Sequence, residues 1–138
     1  TIKDGSTNEI LAYNLSDSLG LDIATDTIHK LMQNTEITLN QHAFIHSDQG
    51  VHYTSNVFQK IVKAYGLGQS MSRRGNCWDN APMENFFGHL KEEALRQIKT
   101  PSFEEAKQVV ADYIHFYNYE RIQLKTRQTP FETRCLSQ

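Results

Sequence analysis

Apolar positions change period along this 138-residue chain, and the changes mark out its elements. EILAYNL (9–15) alternates well enough for a strand, and the turn-rich KDGSTN before it predicts a hairpin whose first arm is nearly all missing. From Asp17 to Gln33, Leu21, Ala24, Ile28 and Leu31 fall at helical spacing. HAFIH (42–46) is short, apolar and turn-bounded, which predicts a buried strand. Thr54 or Ser55 can cap a helix with Val57, Phe58, Ile61, Val62 and Tyr65 on one face, and Gly66 ends it. GQSMS (68–72) is a weak strand and RRGNCWDN (73–80) a polar loop. Asp79 or Asn80 then caps a helix that starts near Pro82 and runs to about Ile98. After KTPS, a last long helix places Phe103, Ala106, Val110, Tyr113 and Tyr117 on one stripe. Strand, helix, strand, helix, strand, helix, helix is the order of a mixed α/β domain with helices covering a sheet.

Composition changes this picture little. The length suits one domain, and 38% hydrophobic with 22% charged residues is ordinary for a folded soluble protein. A net charge of −2 gives no general support to nucleic-acid binding, so any such role must come from local patches. Cys77 and Cys135 lie far apart without metal-ligand spacing and read as free thiols of a reducing cytoplasm, or else as one disulfide. No apolar stretch is long enough to span a bilayer, and TIKDGSTNEI is no signal peptide. The abrupt polar opening without Met leads us to expect a piece of a longer protein.

The chemistry gathers around HSDQGVHYTS (46–55). Asp48 follows a predicted strand, and ligand sites of open α/β sheets lie at the carboxyl ends of strands. Asp-Gln-Gly is also plain turn chemistry. A second carboxylate, Glu84, falls in the first turn of the helix after the polar loop, where it also complements the helix dipole. Lys91 follows seven residues later, two turns on and hence on the same face, with Gly88 between them removing bulk where a polymer can approach. Phe86, Phe87, Leu90 and Ala94 supply the opposite, core-facing stripe.

HSDQGVHYTS, SRRGNCWDNAPMENFFGHLK and YNYERIQLKTRQTPFETR, in that order, resemble the integrase-type core of bacterial insertion-sequence transposases. The resemblance runs from about Asp4 to Arg134, and the 35 residues between Asp48 and Glu84 match the family's interval between its second and third catalytic carboxylates. It implies a ribonuclease H-like mixed sheet flanked by helices, its first strand missing or incomplete. It further implies a catalytic core spanning 1–138 that lacks the first catalytic strand and an N-terminal DNA-binding region. Asp48 and Glu84 then stand as the second and third members of a DDE triad and as ligands of a two-metal Mg²⁺ (or Mn²⁺) site. Lys91 matches the family's DNA-contacting basic residue. The implied activity is metal-dependent DNA cleavage and strand transfer in transposition, in a bacterial cytoplasm, by a homo-oligomer on transposon ends and target DNA. Only 43 residues lie between Asp4 and Asp48, and Asp4 aligns better with the hairpin, so the first catalytic aspartate is expected to be absent and the chain by itself inactive. Gln123 stands where the family usually carries His, which weakens the case for a polar role there. The alternatives are a hydrolytic nuclease of the same fold, or a non-catalytic remnant or oligomerisation module of a broken element.

Other residues carry weaker expectations. Arg73 and Arg74 can hold phosphates or be solvated loop charges. Trp78 reads as a packing anchor, and Asn80 as a cap beside the site that also bears on DNA. His46 reads as a buried structural histidine before a site residue. Tyr117, Asn118 and Arg121 read as packing and polar anchors of the last helix, while His29 and His115 carry no signal.

Overall fold

The computed structural model describes residues 1–17, 20–72, 81–96, 98–99 and 102–136, with 81 and 82 by backbone alone. Its elements are β1 (Ile2–Lys3), β2 (Ile10–Ala12), α1 (Asp22–Gln33), β3 (Phe44–Ser47), α2 (Val51–Thr54), α3 (Asn56–Ala64), β4 (Gly68–Met71), α4 (Ala81–Leu90), a π turn (Lys91–Leu95), α5 (Phe103–Tyr119) and α6 (Pro130–Leu136). The residues divide into two compact units, 1–2 with 12–81 and 3–11 with 82–138. Strand β2 is three residues rather than the expected seven, because β1 offers only two residues to pair with it.

In the first unit β3 and β4 pair in parallel, from Phe44 opposite Gly68 to Ser47 opposite Met71. Parallel neighbours need a crossover, and α2 and α3 supply it. Ser55, not Thr54, caps α3 by accepting from the Phe58 N–H at 3.2 Å. Gly66 closes the helix at φ 76°, a left-handed conformation that suits a residue without Cβ. Ala24 and Ile28 of α1 meet Phe58 and Val62 of α3, with Leu21, Ile45, Tyr53, Ile61 and Leu67 packed against them.

Three expectations need correction here. The first helix starts at Asp22, not Asp17. Val57 and Tyr65 are exposed, because α3 buries only the Phe58–Val62 stripe fully. Strand β3 is not buried throughout. Its residues alternate, with Phe44 63% exposed and His46 exposed while Ile45 faces the core.

The second unit is built on aromatic packing. Phe86 of α4 is fully buried, edge-on to Tyr117 of α5 with centroids 5.0 Å apart, and Leu90, Val110, Tyr113 and Ile114 of the same unit are buried as well. Phe103 lies outside this stripe, exposed in the first turn of α5, where Ser102 caps the helix through the Glu105 N–H. The helix expected to run from Pro82 to Ile98 stays α-helical only to Leu90. The polar loop 73–80, with its Asp79 or Asn80 cap and its packing anchor Trp78, lies outside the described residues.

Helix α6 went unforeseen. A reciprocal cap forms it: the Glu132 N–H donates to Thr129 Oγ (3.2 Å), the Thr129 N–H donates to Glu132 Oε2 (2.9 Å), and Pro130 occupies the first helical position. The segment around it is tied to the N-terminal hairpin. Buried Asn118 pairs both backbone groups of Ile10, accepting its N–H at 2.8 Å and donating to its C=O at 2.9 Å. Gln123 accepts from Asn8 (2.7 Å) and donates to the Thr7 C=O (3.2 Å), so it does have a polar role. Arg134 pairs with Glu9, which is only 4% exposed.

Candidate active site

Asp48 sits one residue beyond β3, at the carboxyl end of the strand as expected. Its Oδ1 accepts from the Gly50 N–H at 2.8 Å, forming a side-chain-to-backbone turn that fixes the carboxylate while leaving it exposed. Gly50 gives this turn its room, since a Cβ there would come within 2.9 Å of Asp48 Oδ1 and 3.4 Å of the Tyr53 ring. Burial raises the Tyr53 hydroxyl above the usual tyrosine range, and the Asp48 charge adds to that, so the phenol stays protonated. Gln49 donates to the Ser72 C=O (3.2 Å), and the Ser72 N–H donates to the Ser47 C=O (2.8 Å), so the strand ends are cross-linked beside Asp48. His46 Nδ1 lies 3.0 Å from Ser70 Oγ on the exposed side of the strand pair, which corrects its reading as a buried histidine.

Glu84 lies in the first turn of α4 and is exposed, as are Gly88 and Lys91. Phe86 and Leu90 are buried, so this helix does present one polar and one packed face, although Phe87 is 40% exposed. A Cβ at Gly88 would meet nothing within 4 Å, so internal packing does not require glycine there. Asp48 belongs to the first unit, and Glu84 and Lys91 to the second. Arg73, Arg74 and Asn80 lie outside the described residues. Among the described residues no group of three or more His, Cys, Asp or Glu side chains is gathered as a metal site, and no helix is long and apolar enough to cross a membrane. Asp4 is occupied in the hairpin: Oδ1 accepts from the Ser6 N–H (3.1 Å) and Oδ2 from the Thr7 hydroxyl (2.8 Å).

Sequence reasoning missed Glu93, in the π turn. The Tyr113 hydroxyl donates to its Oε2 (2.6 Å), and Arg121 Nε reaches both carboxylate oxygens at 3.0 and 3.1 Å. Burial pushes this carboxyl up, but the Tyr113 and Arg121 hydrogen bonds and the nearby positive charge outweigh it and hold Glu93 below the usual carboxylate range. Its pairing therefore contributes stability above the ordinary glutamate pKa, and this contribution is lost as pH falls through the lowered value. No spacing rule joins residue 93 to 113 and 121, so the sequence offered no signal for this cluster.

The integrase core domain family matches residues 1–77, and a second description of the same name matches 84–136. A putative transposase for insertion sequence element IS150 from Escherichia coli is 38% identical over 128 residues, covering 92% of this chain and 44% of that protein. A transposase-like protein from Haemophilus influenzae is 40% identical over 126 residues, covering 91% and 57% respectively. The chain thus spans about half the length of these relatives. Among solved structures, the catalytic core of BIV integrase superposes with a TM-score of 0.67 at 18% identity, covering 90% of this chain and 76% of that one. The HTLV-2 integrase catalytic core in complex with magnesium, in trimeric form, gives 0.66 at 14% identity, covering 95% and 80%. The fold is the mixed α/β, ribonuclease H-like fold of these integrase cores. The chain belongs to the integrase core domain family.

Proposed function

We propose that this chain is the catalytic core of an insertion-sequence transposase, with Asp48 and Glu84 as two carboxylates of its metal site. Strand transfer is an in-line displacement at phosphorus by a 3′ hydroxyl, and donor cleavage is the same displacement by water. The single observation that carries this reading is Asp48 itself, a solvent-facing carboxylate fixed by Gly50 at the end of a parallel strand in an integrase core. The donor set fits Mg²⁺, which takes hard oxygen ligands and needs only one or two protein carboxylates beside phosphate and water. The magnesium in the HTLV-2 neighbour supports the same choice. Metal ions held there supply Lewis-acid activation of the attacking oxygen and charge neutralisation at the leaving one.

The chain's own residues divide the remaining work. The Asp48 turn keeps a carboxylate aimed outward without rearrangement at the moment of reaction. Lys91 supplies a positive charge for a DNA phosphate, and the bare Gly88 backbone admits the DNA close to α4. DNA as partner, assembly of several copies on it and a cytoplasmic site of action belong to this reading. Arg73, Arg74 and Asn80 are assigned to DNA contact on the resemblance alone.

Two experiments test it. The resemblance aligns Asp4 with the hairpin, where it accepts from Ser6 and Thr7, rather than with the first catalytic aspartate, so these 138 residues alone are expected to give no Mg²⁺- or Mn²⁺-dependent nicking or strand transfer. Robust transfer by this piece, lost on Asp48→Asn, overturns that expectation. Gly88→Ala is expected to raise stability by about 0.5–1 kcal/mol, because alanine is the better helix former and meets nothing there. The same change is expected to slow strand transfer by the protein expressed from its complete reading frame. Higher stability with unchanged transfer removes the DNA-approach role of this face.

A further inference from the structure

Helix α4 keeps its α-helical course to Leu90 and then widens. The Arg96 N–H donates to the Lys91 C=O at 2.8 Å, five residues back rather than four. Such a π turn accommodates one extra residue, is rare, and is often found at functional sites. Among residues 91–95, Glu93 is held by side chains from outside the turn, whereas Glu92 pairs with Arg96 one turn on. Both of Glu93's partners are themselves held. Tyr113 of α5 is 6% exposed beside Phe86 of α4, and the Arg121 guanidinium lies 5.8 Å above the Tyr117 ring centre. His89 also faces Glu93, with its Nδ1 4.0 Å from Oε2.

We propose that Glu93, clamped by Tyr113 and Arg121, is a positioning residue that pins the π turn immediately after Lys91 and so keeps Lys91 on the helix face of Glu84 for its contact with DNA. The inference rests on the reading of Lys91 as a phosphate contact given above. Seven residues of α-helix bring a side chain back to within about 20° of its starting direction, so Glu84 and Lys91 share a face only while the segment between them remains α-helical. An extra residue displaced into that segment would turn Lys91 about 100° around the axis, away from Glu84 and Gly88. The Glu93 clamp opposes that displacement by tying the widened turn to α5 and to the chain just beyond it.

A double-mutant cycle tests this on the protein expressed from its complete reading frame, bound to a duplex oligonucleotide of the element's terminus. Tyr113→Phe removes one hydroxyl and retains the ring. Lys91→Ala and Tyr113→Phe are each expected to weaken binding several-fold, and each to reduce the salt-dependence slope by about one. The double variant is expected to bind no more weakly than Lys91→Ala alone, which is the sign of coupled residues. Additive losses, or an unchanged slope in Tyr113→Phe, overturn the positioning role, since general destabilisation would act equally with or without Lys91. Glu93→Gln runs the same cycle should Tyr113→Phe fold poorly, with thermal unfolding recorded for every variant. Wild-type binding by Lys91→Ala would overturn the DNA-contact reading itself and this inference with it, a failure distinct from additivity.

Discussion

In the protein expressed from its complete reading frame, Asp48→Asn and Glu84→Gln are each expected to lower metal-dependent strand transfer by well over about 100-fold, more than the loss of an outer-shell partner costs at a metal site. Each change keeps the side chain's shape and removes its negative charge. Both residues are exposed, and the amide introduced by Asp48→Asn keeps an oxygen that can accept from the Gly50 N–H. Stability is therefore expected to change by no more than about 0.5 kcal/mol, the usual range for surface substitutions. Loss of transfer with an unchanged unfolding temperature separates a role in chemistry from a role in folding. Transfer assays beside thermal unfolding measure both, and a variant within tenfold of the parent rate would remove that residue from the metal site.

The largest expected effect on stability is at Asn118. In an extended strand the N–H and C=O of one residue point the same way, and Asn118 pairs both of Ile10's in the manner of a neighbouring strand. Asn118→Ala leaves two buried backbone groups unpaired at about 1–3 kcal/mol each and opens a small cavity as well. A loss of about 3–5 kcal/mol is expected, a large share of the roughly 5–15 kcal/mol that typically holds a domain together. Urea unfolding measures it. A loss below about 1 kcal/mol would show that the hairpin finds other partners. The Glu9–Arg134 pair and the Gln123 bridges fasten the same hairpin, so the effect is expected to be greater still in combination with Arg134→Ala.

The sequence was most informative where local chemistry decides local structure. Ser55 and Gly66 bound α3, the Leu21–Leu31 periodicity marks α1, and Asp48 falls at a strand end, each through a rule acting within a few residues. Tyr117, Asn118 and Arg121 were legible as anchors of the last helix through their resemblance to a family motif, although the partners they anchor to were not. Exposure was harder to read. HAFIH looked buried because apolar runs do not reveal how many neighbours a strand has, and Phe44 lies on its open face. Helix α6 was missed despite a readable signal, since Thr129-Pro-Phe-Glu132 is a capping box with proline in the first turn. The Glu93 cluster had no such signal, because it joins side chains 20 and 28 residues away. Asp48, Glu84 and Lys91 were singled out by the order and spacing of motifs, and their roles are those proposed above, whereas the contacts of Gly50 and Glu93 emerge only from the geometry.

The central claim is that Asp48 and Glu84 ligate a divalent ion, and changing the softness of each ligand tests it most directly. Strand transfer by Asp48→Cys and Glu84→Cys is measured in Mg²⁺ and in Mn²⁺, using the protein expressed from its complete reading frame. Mg²⁺ demands oxygen ligands in strict octahedral geometry, whereas a transition-metal ion tolerates a thiolate. The account predicts that both variants lose Mg²⁺-supported transfer and regain part of it in Mn²⁺. Transfer in Mg²⁺ at the parental rate by either variant would contradict it.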